Sequence, residues 1–383
     1  MKSSLLYQNR KMNRESRFNR WIFHSFPVTE EGLGLMRIVL SIFLLFFLIP
    51  GEGIDHFSFL SNLPSDFYAA PPGPMMLIDQ FPSFTILVIL HSACIAAVFL
   101  MLIGYRTKTV SIVAGISILL LQGVIFSIGK INHEILIASV PIIMAFSNWG
   151  AAYSFDSRRE EKLIHVKSES WPLTFIAVLI GFMMFTAGFP KILGGWLDFT
   201  TQATEGHLLN QYYVRGRQDL LAGAAVNFHS TFFWELLDWG TVLFEIGFLF
   251  ALFKREWVKF FLSIAVLFHF STMITLNIAF LPNFLAYAIF LNWDGILSDW
   301  QRWYQKITGG SGKLFKQKSV IVLAMLLIFL FGALKMISMS DQYLNQSDLR
   351  IYEVVIVGGA AFYVIYLGIK NLMNLDKSIL MSS

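Results

Sequence analysis

Lys191, His133 and His269 are ionisable residues set in or beside long apolar runs, and His91, Trp196 and Glu245 stand in similar positions. In lipid such side chains are costly to hold, so they mark a proton or ligand pathway, or a site, more often than they occur by chance. Each also has a plainer reading. Lys191 near a helix end can snorkel to the interface, and His133 at a helix mouth can be an ordinary interfacial residue. Glu245 can be a neutral acid tying two helices together, and Arg37 can be an anchor near a membrane surface. His269 is harder to read that way, because an imidazole in mid-helix needs a partner in the bundle. Motifs of soluble chemistry are missing: there is no Walker loop, GxGxxG, HExxH or GxSxG. The eight His lack metal-ligand spacing on any one helix, so no metal is expected; haem ligation by His91 and His269 is conceivable but has no specific support.

The elements that must position these residues are apolar blocks. The chain has 383 residues, of which 56% are hydrophobic and 14% charged, against about 25% charged in soluble domains. This predicts an all-α, polytopic transmembrane bundle of about 8–10 spanning helices. Ten blocks are expected, near 33–50, 83–104, 109–128, 135–152, 171–193, 232–253, 257–278, 279–292, 319–339 and 351–372, the eighth short enough to be half of a broken helix. Four regions follow: a basic amphipathic cytoplasmic segment 1–32, a membrane domain 33–300, a basic cytoplasmic linker 301–318 and a terminal helix pair 319–383. Counting those near a block end with the nearer segment, 22 of the 29 Lys and Arg fall in alternate segments and six in the opposite ones, with Arg37 in the first block. That alternation places both termini in the cytoplasm and makes the protein a multi-pass one of the cell's inner membrane. The charge of +4 points to a lipid surface, not to nucleic acid. The single Cys94 excludes an intramolecular disulfide and a CxxC pair. The first block has no small-residue cleavage site after it and is expected to stay. In this orientation His133, Glu134, Lys191, His269, His91, Glu235 and Asp238 all favour the outer half of the bilayer.

Four segments resemble the vitamin K-dependent gamma-glutamyl carboxylase family and its horizontally transferred transmembrane domain. They are Leu35-Met36-Arg37-Ile38; Asn132-His133 with Tyr153-Ser154-Phe155-Asp156; Ala187-Gly188-Phe189-Pro190-Lys191 with Trp196-Leu197; and Trp239-Gly240, Glu245, Phe268-His269 and Ile278-Ala279-Phe280. Their order matches over about residues 30–300. The resemblance implies that Lys191 is the base that deprotonates a reduced vitamin K or menaquinol-type quinol. It implies that His133 and His269 position or stabilise the quinol anion, with Glu245, Trp196 and His91 around the cofactor. In that family the quinol anion reacts with oxygen to give a strong base. This removes a gamma proton from a peptide glutamate, and carbon dioxide adds to the carbanion. An amine in a low-dielectric pocket gives up its proton more readily than in water, which suits the role. The chain departs from the family in lacking its large lumenal domain, in Pro190 standing for the first lysine of a Lys-Lys pair, and in having no cysteines for its disulfide. The implied partners are the bilayer, an exported peptide or protein substrate and a small accessory protein. Two other readings are a quinone-linked oxidoreductase subunit of DoxX-like type and a non-enzymatic export or maturation factor.

Overall fold

A computed structural model describes residues 16–49, 53–129, 134–159, 170–345 and 349–380. The described residues are helical, with one isolated bridge between Ala69 and Ile128 and no longer strand pairing. This is the arrangement that lipid demands, since a helix satisfies its own backbone polar groups where no water can. Seven helices are long and apolar enough to cross a membrane: Glu30–Leu48, Phe84–Ile103, Thr107–Phe126, Trp171–Leu193, Arg255–Leu276, Gly312–Ser340 and Ile351–Lys370. An eighth, Thr231–Ala251, has the length but carries Glu235, Asp238 and Glu245.

Two of the ten expected blocks are shorter than their hydropathy suggests. The block at 135–152 forms only Ile135–Met144, which ends three residues after Pro141. The block at 279–292 forms only Leu281–Ala288, entered through Asn277 (φ 54°) and Phe280 (φ 47°), both in the left-handed region. The expected linker 301–318 is mostly helical as well. Residues 301–308 complete Trp293–Thr308, Gly309 (φ 67°) ends it, and Gly312–Asn345 starts after a brief turn. In the basic N-terminal segment, Ser16 caps the helix Arg17–His24 by accepting from the Asn19 N–H at 3.1 Å.

The chain divides into two compact units, residues 1–179 with 288–329 and residues 180–287 with 330–383. In the first, Arg37 is not the surface anchor that its position in the sequence allowed. It is fully buried, and its guanidinium donates to five backbone carbonyls: Trp149 (3.0 Å), Met101 (2.5 Å), Leu102 (3.0 Å), Ala152 (3.3 Å) and Tyr153 (2.8 Å). Two of the acceptors, Met101 and Leu102, lie in the last turn of Phe84–Ile103, where carbonyls run out of helical donors; Met101 also accepts from the Gly104 N–H at 3.1 Å. Gly104 (φ 71°) makes this joint possible, because a Cβ there would lie 2.3 Å from the Ser154 Cβ and 2.6 Å from the Arg37 Nη1. Asp156 completes it by accepting from the Arg106 N–H (2.8 Å), the Thr107 N–H (2.7 Å) and the Thr107 hydroxyl (2.7 Å), which caps Thr107–Phe126. The Tyr-Ser-Phe-Asp segment is therefore a clamp on a helical hairpin.

Candidate functional site

The second unit contains Lys191, Trp196, Glu245 and His269. Its framework is a ladder between the Thr231–Ala251 helix and residues 188–204. At one end Glu235 accepts from the Gln202 amide at 3.1 Å. Next, fully buried Asp238 accepts from the Ala203 and Thr204 N–H groups (2.8 Å each) and the Thr204 hydroxyl (2.5 Å), so it caps Ala203–Leu209 from another helix. Further along, Glu245 receives the Lys191 ammonium on both oxygens at 2.5 Å. Spacings of three and seven residues put 235, 238 and 245 on one helical stripe. Between the last two rungs the chain turns at Asp198, where the Thr200 N–H and hydroxyl hold the carboxyl below its usual value.

Local sequence accounts for the placement of Lys191. The helix Trp171–Leu193 ends with Gly195 in the left-handed conformation (φ 80°). The Trp196 N–H donates to the Lys191 carbonyl at 3.1 Å and the Gly195 N–H to the Ile192 carbonyl at 3.3 Å. This paired closure is the Schellman arrangement, which needs a residue able to take positive φ. It folds Trp196 back beside Lys191, whose ammonium lies 5.1 Å from the indole centroid. The indole in turn stands 5.5 Å from the His207 ring. One turn before Lys191, Gly188 lets the two helices approach, since a Cβ there would lie 2.8 Å from the Glu245 Cβ. The Lys191 side chain is 21% exposed and that of Glu245 is 5% exposed. The pair is thus largely withdrawn from solvent, where charge attraction is strong but loss of either partner is costly.

His269 is buried on the Arg255–Leu276 helix. Its Nε2 lies 3.0 Å from the Tyr287 hydroxyl, and its Nδ1 is buried with no hydrogen-bond partner among the described residues. Four predicted residues, Lys191, Trp196, Glu245 and His269, thus share one unit, with Lys191 against both Glu245 and Trp196.

Of the other two predicted residues, only His91 is described. His91 belongs to the first unit, where its Nε2 lies 3.0 Å from the Ile49 carbonyl oxygen and its ring meets Phe57 edge-on at 5.3 Å. His133 lies outside the described residues. Tyr287 is the residue that sequence reading missed. The signal was present in principle, because a mid-helix histidine requires a partner and a phenol in the next apolar run can reach it. Among the described residues no group of three His, Cys, Asp or Glu side chains is arranged to hold a metal ion.

The seven long apolar helices define a multi-pass helical membrane protein, with a lysine–glutamate pair joining two of the helices in its second unit. No family model, no curated protein and no solved structure matches the chain.

Proposed function

We propose that this chain is an integral membrane enzyme of the carboxylase-like class. It takes a lipidic quinol from the bilayer and modifies an exported peptide or protein at the outer face of the inner membrane. The observation that carries this reading is the Lys191–Glu245 pair, with an indole beside the ammonium and a buried histidine on a neighbouring helix. The residues suit a planar, mostly apolar molecule with oxygen at its edge, since aromatic rings surround His269 and its Nδ1 is left without a partner. When bound, a quinol of the reduced vitamin K or menaquinol type supplies the acidic hydroxyl.

The roles of the protein groups follow from their contacts. Lys191 becomes a base when its own proton passes to Glu245, 2.5 Å away, which leaves both groups neutral. The neutral nitrogen then accepts a hydroxyl proton, forming N–H as O–H breaks. Lys191 is then an ammonium beside a neutral Glu245 acid and the quinol anion, and the charge pair returns when Glu245 passes its proton to water at the part-exposed Lys191 end of the pair. Trp196 covers one side of the ammonium and limits access of water to it.

Mass spectrometry of exported peptides made with and without the gene tests the reading. A gain of carbon dioxide on glutamate is expected only with the gene, and only with Lys191 intact. Lys191→Ala should abolish turnover while quinol binding persists. Ordinary turnover in that variant overturns the proposal. Co-purification with a flavin or haem subunit would favour a quinone-linked oxidoreductase instead.

A further inference from the structure

We propose that the Tyr287 hydroxyl donates to His269 Nε2 and so fixes the imidazole with its proton on Nδ1, making Nδ1–H the buried donor for a ligand oxygen. Tyr287 is buried and, among the described residues, its hydroxyl has one partner, His269 Nε2 at 3.0 Å. His269 is 5% exposed, and its Nδ1 has none. A neutral imidazole carries one N–H, on one nitrogen or the other. If Nε2 held it, the phenol oxygen would accept, leaving its own O–H and the bare Nδ1 both unmet. If Tyr287 donates, only one group is unmet, the Nδ1–H. Unmet buried donors and acceptors are costly, so the second arrangement is the one that holds.

The chain around the ring removes other uses for the histidine. Its carbonyl accepts from the Thr272 hydroxyl at 2.9 Å, a hydroxyl that also reaches the Ile278 carbonyl at 3.2 Å. The two left-handed residues Asn277 and Phe280 turn the chain back across the imidazole. Phe280 then lies 4.8 Å from it, Phe268 5.4 Å, Tyr287 5.9 Å and nearly parallel, and Phe284 6.2 Å, all between centroids. Among the described residues, the polar feature these rings leave unused is one N–H donor. The ligand that completes it is an apolar, ring-compatible molecule offering an acceptor oxygen, as a carbonyl or an oxyanion. Its identity as a quinone or quinol rests on the proposed function; the tautomer does not. Tyr287 is accordingly a positioning residue, acting through His269.

Nitrogen-15 NMR of histidine-labelled full-length protein in detergent reads the tautomer directly, with His269→Gln identifying the resonance. The expected result is a single Nδ1–H tautomer in the native protein. In Tyr287→Phe, which keeps the ring and removes the hydroxyl, the Nε2–H tautomer should appear. An Nε2–H tautomer in the native protein overturns the proposal, whether or not the Phe variant folds. Adding 2-methyl-1,4-naphthoquinone should shift the Nδ1 proton. Its binding should weaken about two-fold or more in Tyr287→Phe, because only part of that population presents the donor. If the naphthoquinone binds and leaves that proton unmoved, the ligand assignment is overturned. If it fails to bind while the tautomer is as expected, the quinol reading falls and the role of Tyr287 is supported.

Discussion

The Lys191 ammonium donates to both oxygens of Glu245 at 2.5 Å, joining two helices through residues 54 apart in sequence. Gly188 permits the approach and the turn at Gly195 sets Trp196 beside the ammonium. This contact joins the helices, and in the proposed function it also holds the proton that passes between nitrogen and oxygen. Bracing and chemistry need to be separated by variants that remove one without the other.

Removing one member of the pair should cost more stability than removing both. Glu245→Leu strands an ammonium that is only 21% exposed, a loss of roughly 3–5 kcal/mol. The double variant Lys191→Met with Glu245→Leu should recover most of that, since apolar neighbours of similar size can replace a withdrawn ion pair. Denaturation in detergent measures the difference. Turnover should be absent from both proteins, so the double variant isolates lost chemistry from lost folding. A double variant as unstable as the single one would show that the pair does not act as a unit.

Arg37 should not tolerate lysine. Its guanidinium serves five carbonyls, whereas an ammonium has three donors on a single atom. At least two carbonyls of the clamp would lose their partners, at about 1–3 kcal/mol each. Arg37→Lys should therefore lower stability by about 2 kcal/mol or more while preserving charge. Thermal unfolding of the purified protein checks this. Unchanged stability would return Arg37 to the role of a membrane-surface anchor.

Hydropathy made the long helices legible, because a span needs only an unbroken apolar run and a length of about 20 residues. It says less about where such a run breaks. The block at 135–152 read as continuous, yet only Ile135–Met144 is helical. The block at 279–292 already read as short enough to be half of a broken helix, and the left-handed Asn277 and Phe280 stand where the chain enters it. Lys191, Glu245 and His269 stood out because charge and imidazole are costly in lipid. Tyr287 did not, since a phenol in an apolar run raises no such alarm until its partner is placed. Arg37 and Asp156 were visible as residues but not as a clamp, because their partners are mostly backbone atoms, which leave no trace in sequence. The same holds for Asp238, which caps a helix remote from its own.

Geometry at the pair can be altered without touching its charges. Gly188 lies one turn before Lys191, and a methyl group there would meet the Glu245 Cβ at 2.8 Å and the Ile246 Cδ1 at 3.2 Å. The Glu245 Cβ is fixed to its own backbone and cannot swing aside, so Gly188→Ala should push the helices apart, at about 1–3 kcal/mol. Turnover should fall with Lys191 and Glu245 both present. Gly240 is the control: it lies on the same helix as Glu245 with nothing within 4 Å of its added Cβ. There alanine should leave turnover alone and raise stability by about 0.5–1 kcal/mol, since glycine weakens a helix interior. Equal loss of turnover in both variants would mean that helix flexibility, not the approach of Lys191 to Glu245, limits the reaction. Loss in Gly188→Ala alone would tie the chemistry to that contact.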